Sequence, residues 1–143
     1  MMKKHFKLIR LSALLLLLDQ LSKYVFYNQK LFADRLFLHP VFNTGVSRSV
    51  QIPIVFTILI AAIALGVFII AYQRKYFTAM VFAILLAGTL WNLIDRITLS
   101  GVRDFLWIWS RFPIFNLADI YLNIGVLLFI IPQLFAWKEK AKS

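Results

Sequence analysis

Apolar residues in this chain gather in four long runs separated by short polar segments. Residues 8 to 27 form the first run, Ile52 to Tyr72 the second, Phe77 to about Arg96 the third, and Leu117 to Trp137 the fourth. Each is near the roughly 20 residues that an α-helix needs to cross about 30 Å of hydrocarbon at about 1.5 Å per residue. The pattern predicts an all-α membrane protein with four transmembrane helices, in a single integral domain over residues 1–143. A basic segment leads the first run, as in a signal peptide, but no small-residue cleavage site follows and Asp19 and Lys23 interrupt the run, so it reads as a retained span. On the third run Ala79, Ala83 and Ala87 recur every fourth residue, a small-residue stripe that lets a neighbouring helix approach closely.

Two of the connecting segments carry patterns of their own. Within residues 28 to 51, Arg35 to Thr44 is rich in strand formers (Leu36, Phe37, Leu38, Val41, Phe42), which predicts a small β-hairpin or cradle between helices one and two. Pro40 places that strand at an edge. Residues 97 to 115 hold Phe105, Trp107, Trp109, Phe112 and Phe115, an aromatic cluster suited to the headgroup layer.

Composition agrees with the membrane reading: 62% of the residues are hydrophobic and mean hydropathy is +0.81, against roughly 45–50% apolar in soluble domains. The absence of cysteine excludes disulfides, thiol nucleophiles and thiolate metal sites. His5 and His39 lie far apart and outside the runs, which argues against a histidine-based zinc site. A net charge of +10 could suggest nucleic acid, but the basic residues collect at the ends of apolar runs, so a membrane surface is the expected partner. Lys3, Lys4, Lys7 and Arg10 precede the first run, Arg74 and Lys75 separate the second from the third, and Lys138, Lys140 and Lys142 follow the fourth. The positive-inside rule then puts both termini in the cytoplasm, with residues 28 to 51 and 97 to 115 outside, although the outward side carries seven basic residues of its own.

That topology gathers acids. Asp19 falls in the outer half of span one, Asp95 ends span three, Asp104 lies in the following loop, and Asp119 sits in the first turn of span four. Intramembrane acids are costly, at least about 2.5–3.5 kcal/mol at mid-membrane, and are functional candidates by default. Plain structural readings compete. Asp19 and Lys23 have the favourable i, i+4 order for a helical ion pair, and Asp95 could form a polar span terminus with Asn92 and Arg96. Asn116 and Asp119 have the spacing of a capping box, and a helix N-terminus favours a negative charge on Asp119. Two carboxylates sharing a site split their proton affinities and titrate as a pair, which lets one act as base and the other as acid on an attacking water. Among rival nucleophiles, Ser22 neighbours Lys23 but faces elsewhere on a helix, while Ser47 or Ser49 with Lys23 stays geometrically open.

The order Asp19-Gln20-x-x-Lys23, Phe42-Asn43-x-Gly45, Asn92-x-x-Asp95-Arg96, Val102-x-Asp104-Phe105 and Phe115-Asn116-x-Ala118-Asp119 resembles the lipoprotein signal peptidase (signal peptidase II) family. Each piece is short, but the five in order cover nearly the whole chain. The resemblance implies a four-helix membrane enzyme with a small outward β-cradle, which cuts signal peptides from prolipoproteins just before a diacylglyceryl-modified cysteine. It implies Asp104 and Asp119 as a catalytic aspartic dyad, and Asn43, Gly45, Asn92, Arg96 and Asn116 as substrate-binding residues. Asp19, Lys23 and Asp95 would brace the site. No cofactor or metal is implied. The expected partners are the modified prolipoprotein and membrane lipid, and the enzyme would act as a monomer at the outer face of a bacterial cytoplasmic membrane. The chain departs from the family pattern at Val46-Ser47-Arg48, where a small residue and then an aromatic are usual, and at Trp91, where glycine is usual. Trp91 would narrow the approach to the dyad. A catalytically silent relative that binds lipoprotein or lipid is the alternative those departures motivate. A proton-coupled transporter would need acids across the membrane depth, and the inner half has none.

Overall fold

The computed structural model of the protein describes residues 2–35, 37–45 and 52–140, with side chains from residue 8 to residue 135. Helix α1, Met2–Ser22, runs on as a π-helical stretch over Lys23–Asn28. Strand β1, Leu38–Asn43, follows, then α2, Ile54–Gln73, and α3, Ala79–Leu99. Strand β2 is Val102–Leu106, and α4 spans Leu117–Lys140. Three of these helices, Ile54–Gln73, Ala79–Leu99 and Leu117–Phe135, are long and apolar enough to cross a membrane. Side chains such as Val55, Phe56, Leu59, Ile63 and Val67 on α2 are exposed, which suits lipid rather than water.

The helix ends follow from the sequence. Pro53 precedes α2 in an extended conformation and cannot donate a backbone hydrogen bond there. Thr78 caps α3, its Oγ1 accepting the Val81 N–H at 3.2 Å. Ser100 ends α3 in the left-handed region, its N–H returning to the Arg96 carbonyl.

Among the described residues α3 packs against α1, α2 and α4; α1 also touches α4, while α2 meets no helix but α3. Small residues permit the closest approaches. Ala83 and Ala87 are buried, and Ser12 of α1 reaches the Ala83 carbonyl at 3.5 Å, so α1 comes close to the α3 backbone at that alanine. Gly88 meets α4: a Cβ there would lie 2.6 Å from the Ala118 carbonyl oxygen and 2.7 Å from Leu122 Cγ. The α3–α4 contact therefore tolerates no side chain at that position.

The sheet corrects the expected hairpin between helices one and two. β1 lies between those helices, but it pairs antiparallel with β2 from the segment between α3 and α4, matching Val41 with Asp104 and Asn43 with Val102. Its register breaks between Leu38 and Val41, around Pro40, which has no N–H for a ladder. The Phe115 carbonyl accepts from Leu106 at 2.8 Å, and the Phe115 N–H returns to Leu106 at 3.0 Å. The strand carrying Asp104 is thus held on one side by β1 and on the other by the residue preceding Asn116.

Candidate active site

The site rests on a buried charged column. Asp19 and Lys23 are both 0% exposed and pair at 2.8 Å. The Lys23 ammonium also lies 3.2 Å from Asp95 Oδ2 and donates to Asn92 Oδ1 at 3.2 Å, which occupies all three of its protons. Asp95 Oδ1 pairs in turn with Arg103 Nη2 at 2.8 Å, and Arg103 continues to Gln20 Oε1 at 2.8 Å and Asn28 Oδ1 at 3.3 Å. Two acids and two bases from α1, α3 and β2 therefore neutralise one another out of water, as buried charges must. Asp95 takes Lys23 and Arg103 as partners rather than Asn92 and Arg96. Lys23 is too fully engaged to serve as the free base of a serine–lysine pair, and Ser47, Ser49 and Arg48 lie outside the described residues.

Asparagines carry this column to the two remaining acids. Asn92 Oδ1 accepts from Lys23 and from Asn116 Nδ2 at 3.2 Å, and Asn92 Nδ2 donates to Asp119 Oδ1 at 2.8 Å. Asn116 Nδ2 also donates to Asp104 Oδ1 at 2.7 Å, and Asn43 Nδ2 reaches Asp104 Oδ2 at 2.9 Å. Gly45 contributes its N–H to Asn43 Oδ1 at 3.1 Å, fixing that amide's orientation. The expected capping box is present: Asn116 Oδ1 accepts the Asp119 N–H at 3.2 Å while Asp119 Oδ2 accepts the Asn116 N–H at 3.0 Å. Asp104 from a strand and Asp119 from a helix start thus share one set of asparagine donors. Burial, reinforced by the charge of Asp119, pushes the Asp104 carboxyl up to about 7 against the pull of its Asn43 and Asn116 hydrogen bonds. At neutral pH Asp104 holds its proton much of the time.

Two clefts open at these acids. One, of about 370 Å³, is lined by Asn43, Asn92, Arg96, Asp104 and Asp119, with Phe112, Pro113 and Ile114 of the loop before α4. The other, of about 390 Å³, runs where α2 and α4 fail to meet, lined by Ile60, Ala61, Ala64 and Phe68 on one side and Leu122 and Val126 on the other. Asn92, Arg96 and Asp119 border both. Among the described residues Arg96 makes one hydrogen bond, to the Asn92 carbonyl at 3.2 Å, leaving donors for a ligand. Trp91 lines neither cleft, so it does not narrow this approach; its helical position turns it about 100° from Asn92. Among the described residues no three His, Cys, Asp or Glu side chains come together as a metal site.

Two features escape a reading of the sequence. Arg103 looks like an ordinary loop base, yet strand alternation puts it opposite Asp104 and into the charged column. Asn123, exposed on α4 and lining the first cleft, carries no motif; its one signal is an amide within an apolar run.

A family described as signal peptidase (SPase) II matches residues 11–135. A protein of Staphylococcus aureus (strain JH9) named lipoprotein signal peptidase is 32% identical over 151 residues, covering 94% of this chain and 93% of that relative. A Geobacter sulfurreducens protein of the same name is 34% identical over 93 residues, a stretch spanning 60% of this chain and 58% of that relative. A solved structure described as a bacterial membrane enzyme, obtained by the in meso method at 2.3 Å resolution, superposes with a TM-score of 0.79 at 27% identity. That match covers 94% of this chain and 91% of the other.

Proposed function

The chain belongs to the signal peptidase II family, and on that premise we propose that it removes signal peptides from prolipoproteins by an aspartic mechanism centred on Asp104 and Asp119. The protein is a multi-pass membrane protease of that family. The reading adds that α1 is a fourth span, that both termini face the cytoplasm, and that the sheet and acids face outward from a bacterial cytoplasmic membrane.

In this mechanism Asp119, in the first turn of α4 with its Oδ2 held by the Asn116 N–H, is the ionised partner, because a helix N-terminus favours negative charge. It takes a proton from the attacking water. Asp104 supplies its own proton to the carbonyl oxygen as the water adds; as the C–N bond then breaks, Asp119 passes its proton to the leaving nitrogen and Asp104 takes one back from the gem-diol hydroxyl. Asn43, Asn92 and Asn116 orient the two carboxyls, and Arg96 offers donors to the substrate backbone. The peptide occupies the cleft under Phe112 and Pro113, while the diacylglyceryl group lies in the apolar cleft between α2 and α4. Asp19, Lys23 and Asp95 brace the arrangement from behind.

The observation that carries this reading is the shared amide of Asn116, bonded to Asp104 while its backbone and carbonyl oxygen hold Asp119. The test is a gel-shift cleavage assay with purified protein and diacylglyceryl-modified prolipoprotein. The modified substrate should be shortened and the unmodified one left largely intact. Binding of the modified substrate without cleavage would instead indicate a silent relative.

A further inference from the structure

We infer that Asn123 is a substrate-binding residue that pairs with the peptide backbone of the signal peptide about two residues before the cut; the inference rests on the peptidase reading above. Asn123 lies on α4 four residues after Asp119, on the same face, and lines the cleft that holds both acids. It sits within the apolar span Leu117–Phe135, between Leu122 and Ile124, where packing gives no reason for an amide. The other three asparagines lining or bordering the acids, Asn43, Asn92 and Asn116, are each tied to a carboxylate. Asn123 is exposed and has no hydrogen-bond partner among the described residues.

An amide left unpaired at membrane depth is unfavourable, and so is an extended peptide there, whose own N–H and C=O groups lack partners. The two needs match. An asparagine side chain offers a carbonyl acceptor and an NH₂ donor, the complement of the N–H and C=O presented by one stretch of extended backbone. The position follows from geometry. Four helical residues advance about 6 Å from Asp119, which equals about two residues of extended chain at about 3.3 Å each. That step leads along α4 into its apolar run, the side on which a hydrophobic signal segment lies, rather than toward the sheet, where the mature chain would leave.

The test uses full-length protein in detergent micelles and two lipid-modified substrates, one all-peptide and one with an ester replacing the peptide link about two residues before the cut. Asn123→Leu should keep the wild-type thermal midpoint and kcat while raising KM by about three- to tenfold on the peptide substrate, the worth of a neutral hydrogen bond. Asn123→Gln should recover part of that loss. The ester substrate should bind wild type less well but show little further loss with Asn123→Leu. An unchanged KM for Asn123→Leu, or a loss equally large on the ester substrate, overturns the assignment. A wild type that cuts neither substrate overturns the peptidase reading and this inference with it, whereas a cutting wild type isolates the role of Asn123.

Discussion

Asp19 Oδ1 accepts the backbone N–H of Ala118 at 3.0 Å, so an acid on the first helix seats the first turn of the fourth, beside Asp119. The same carboxyl pairs with Lys23 through its other oxygen. Asp19→Asn keeps an acceptor for Ala118 but removes the charge facing Lys23, whereas Lys23→Met leaves Asp19 without its cation and Asp95 with Arg103 alone.

Both substitutions should therefore lower stability before they affect chemistry, with Lys23→Met the worse of the two. Breaking a buried pair costs about 3–5 kcal/mol. Thermal midpoints in micelles should fall, while any folded Asp19→Asn protein retains measurable turnover. A well-folded Asp19→Asn variant without activity would contradict the bracing role.

The proton on Asp104 predicts a pH dependence of stability. Its carboxyl is raised from 3.8 to about 7, so between those values the folded protein keeps a proton that the unfolded chain has released. Stability then falls as pH rises through this window, and the penalty is complete above about 7. Asp104→Asn escapes it. The variant should match wild type near pH 4 and exceed it at pH 8 by on the order of a few kcal/mol. Equal midpoints at both pH values would count against the raised carboxyl.

Gly88 sets the spacing between α3 and α4 at the Ala118 carbonyl, one residue from Asp119. Gly88→Ala must push the first turn of α4 aside, at a cost of about 1–3 kcal/mol, and should lower kcat as well as the thermal midpoint. The control is Gly66→Ala, where an added Cβ meets nothing within 4 Å. If both alanine variants behave alike, the close approach at Gly88 has no role in the site.

Arg103 anchors the strand that carries Asp104, through Asp95, Gln20 and Asn28. Lysine cannot reproduce that fork of donors. Arg103→Lys should fold, yet lose about tenfold in kcat by loosening β2, an effect of about 1.4 kcal/mol. Wild-type kcat in this variant would show that the strand is held without it.

Local pattern and spacing made some of this site legible and hid the rest. The second, third and fourth apolar runs end within about three residues of α2, α3 and α4, because hydropathy and helix length report the same constraint. The Asp19–Lys23 pair and the Asn116–Asp119 box are spacings of four and three residues on one helix, so both could be read directly. The partner of β1 could not: Val41 and Asp104 pair across more than sixty residues, and no local pattern encodes such a pairing. Arg103 was hidden for the same reason, since its partners Gln20, Asn28 and Asp95 are brought together only by the fold.

The most direct test is single-turnover cleavage of diacylglyceryl-modified prolipoprotein by Asp104→Asn, Asp119→Asn and the double variant. Asp34→Asn serves as control, because Asp34 is 78% exposed and, among the described residues, pairs only with His39, a contact of little weight. Each dyad variant should still bind substrate but lose cleavage, and the double variant should be no worse than either single one, because acid and base act as a unit. Asp34→Asn should cut as wild type does. Near wild-type cleavage by Asp104→Asn or Asp119→Asn would contradict the aspartic mechanism.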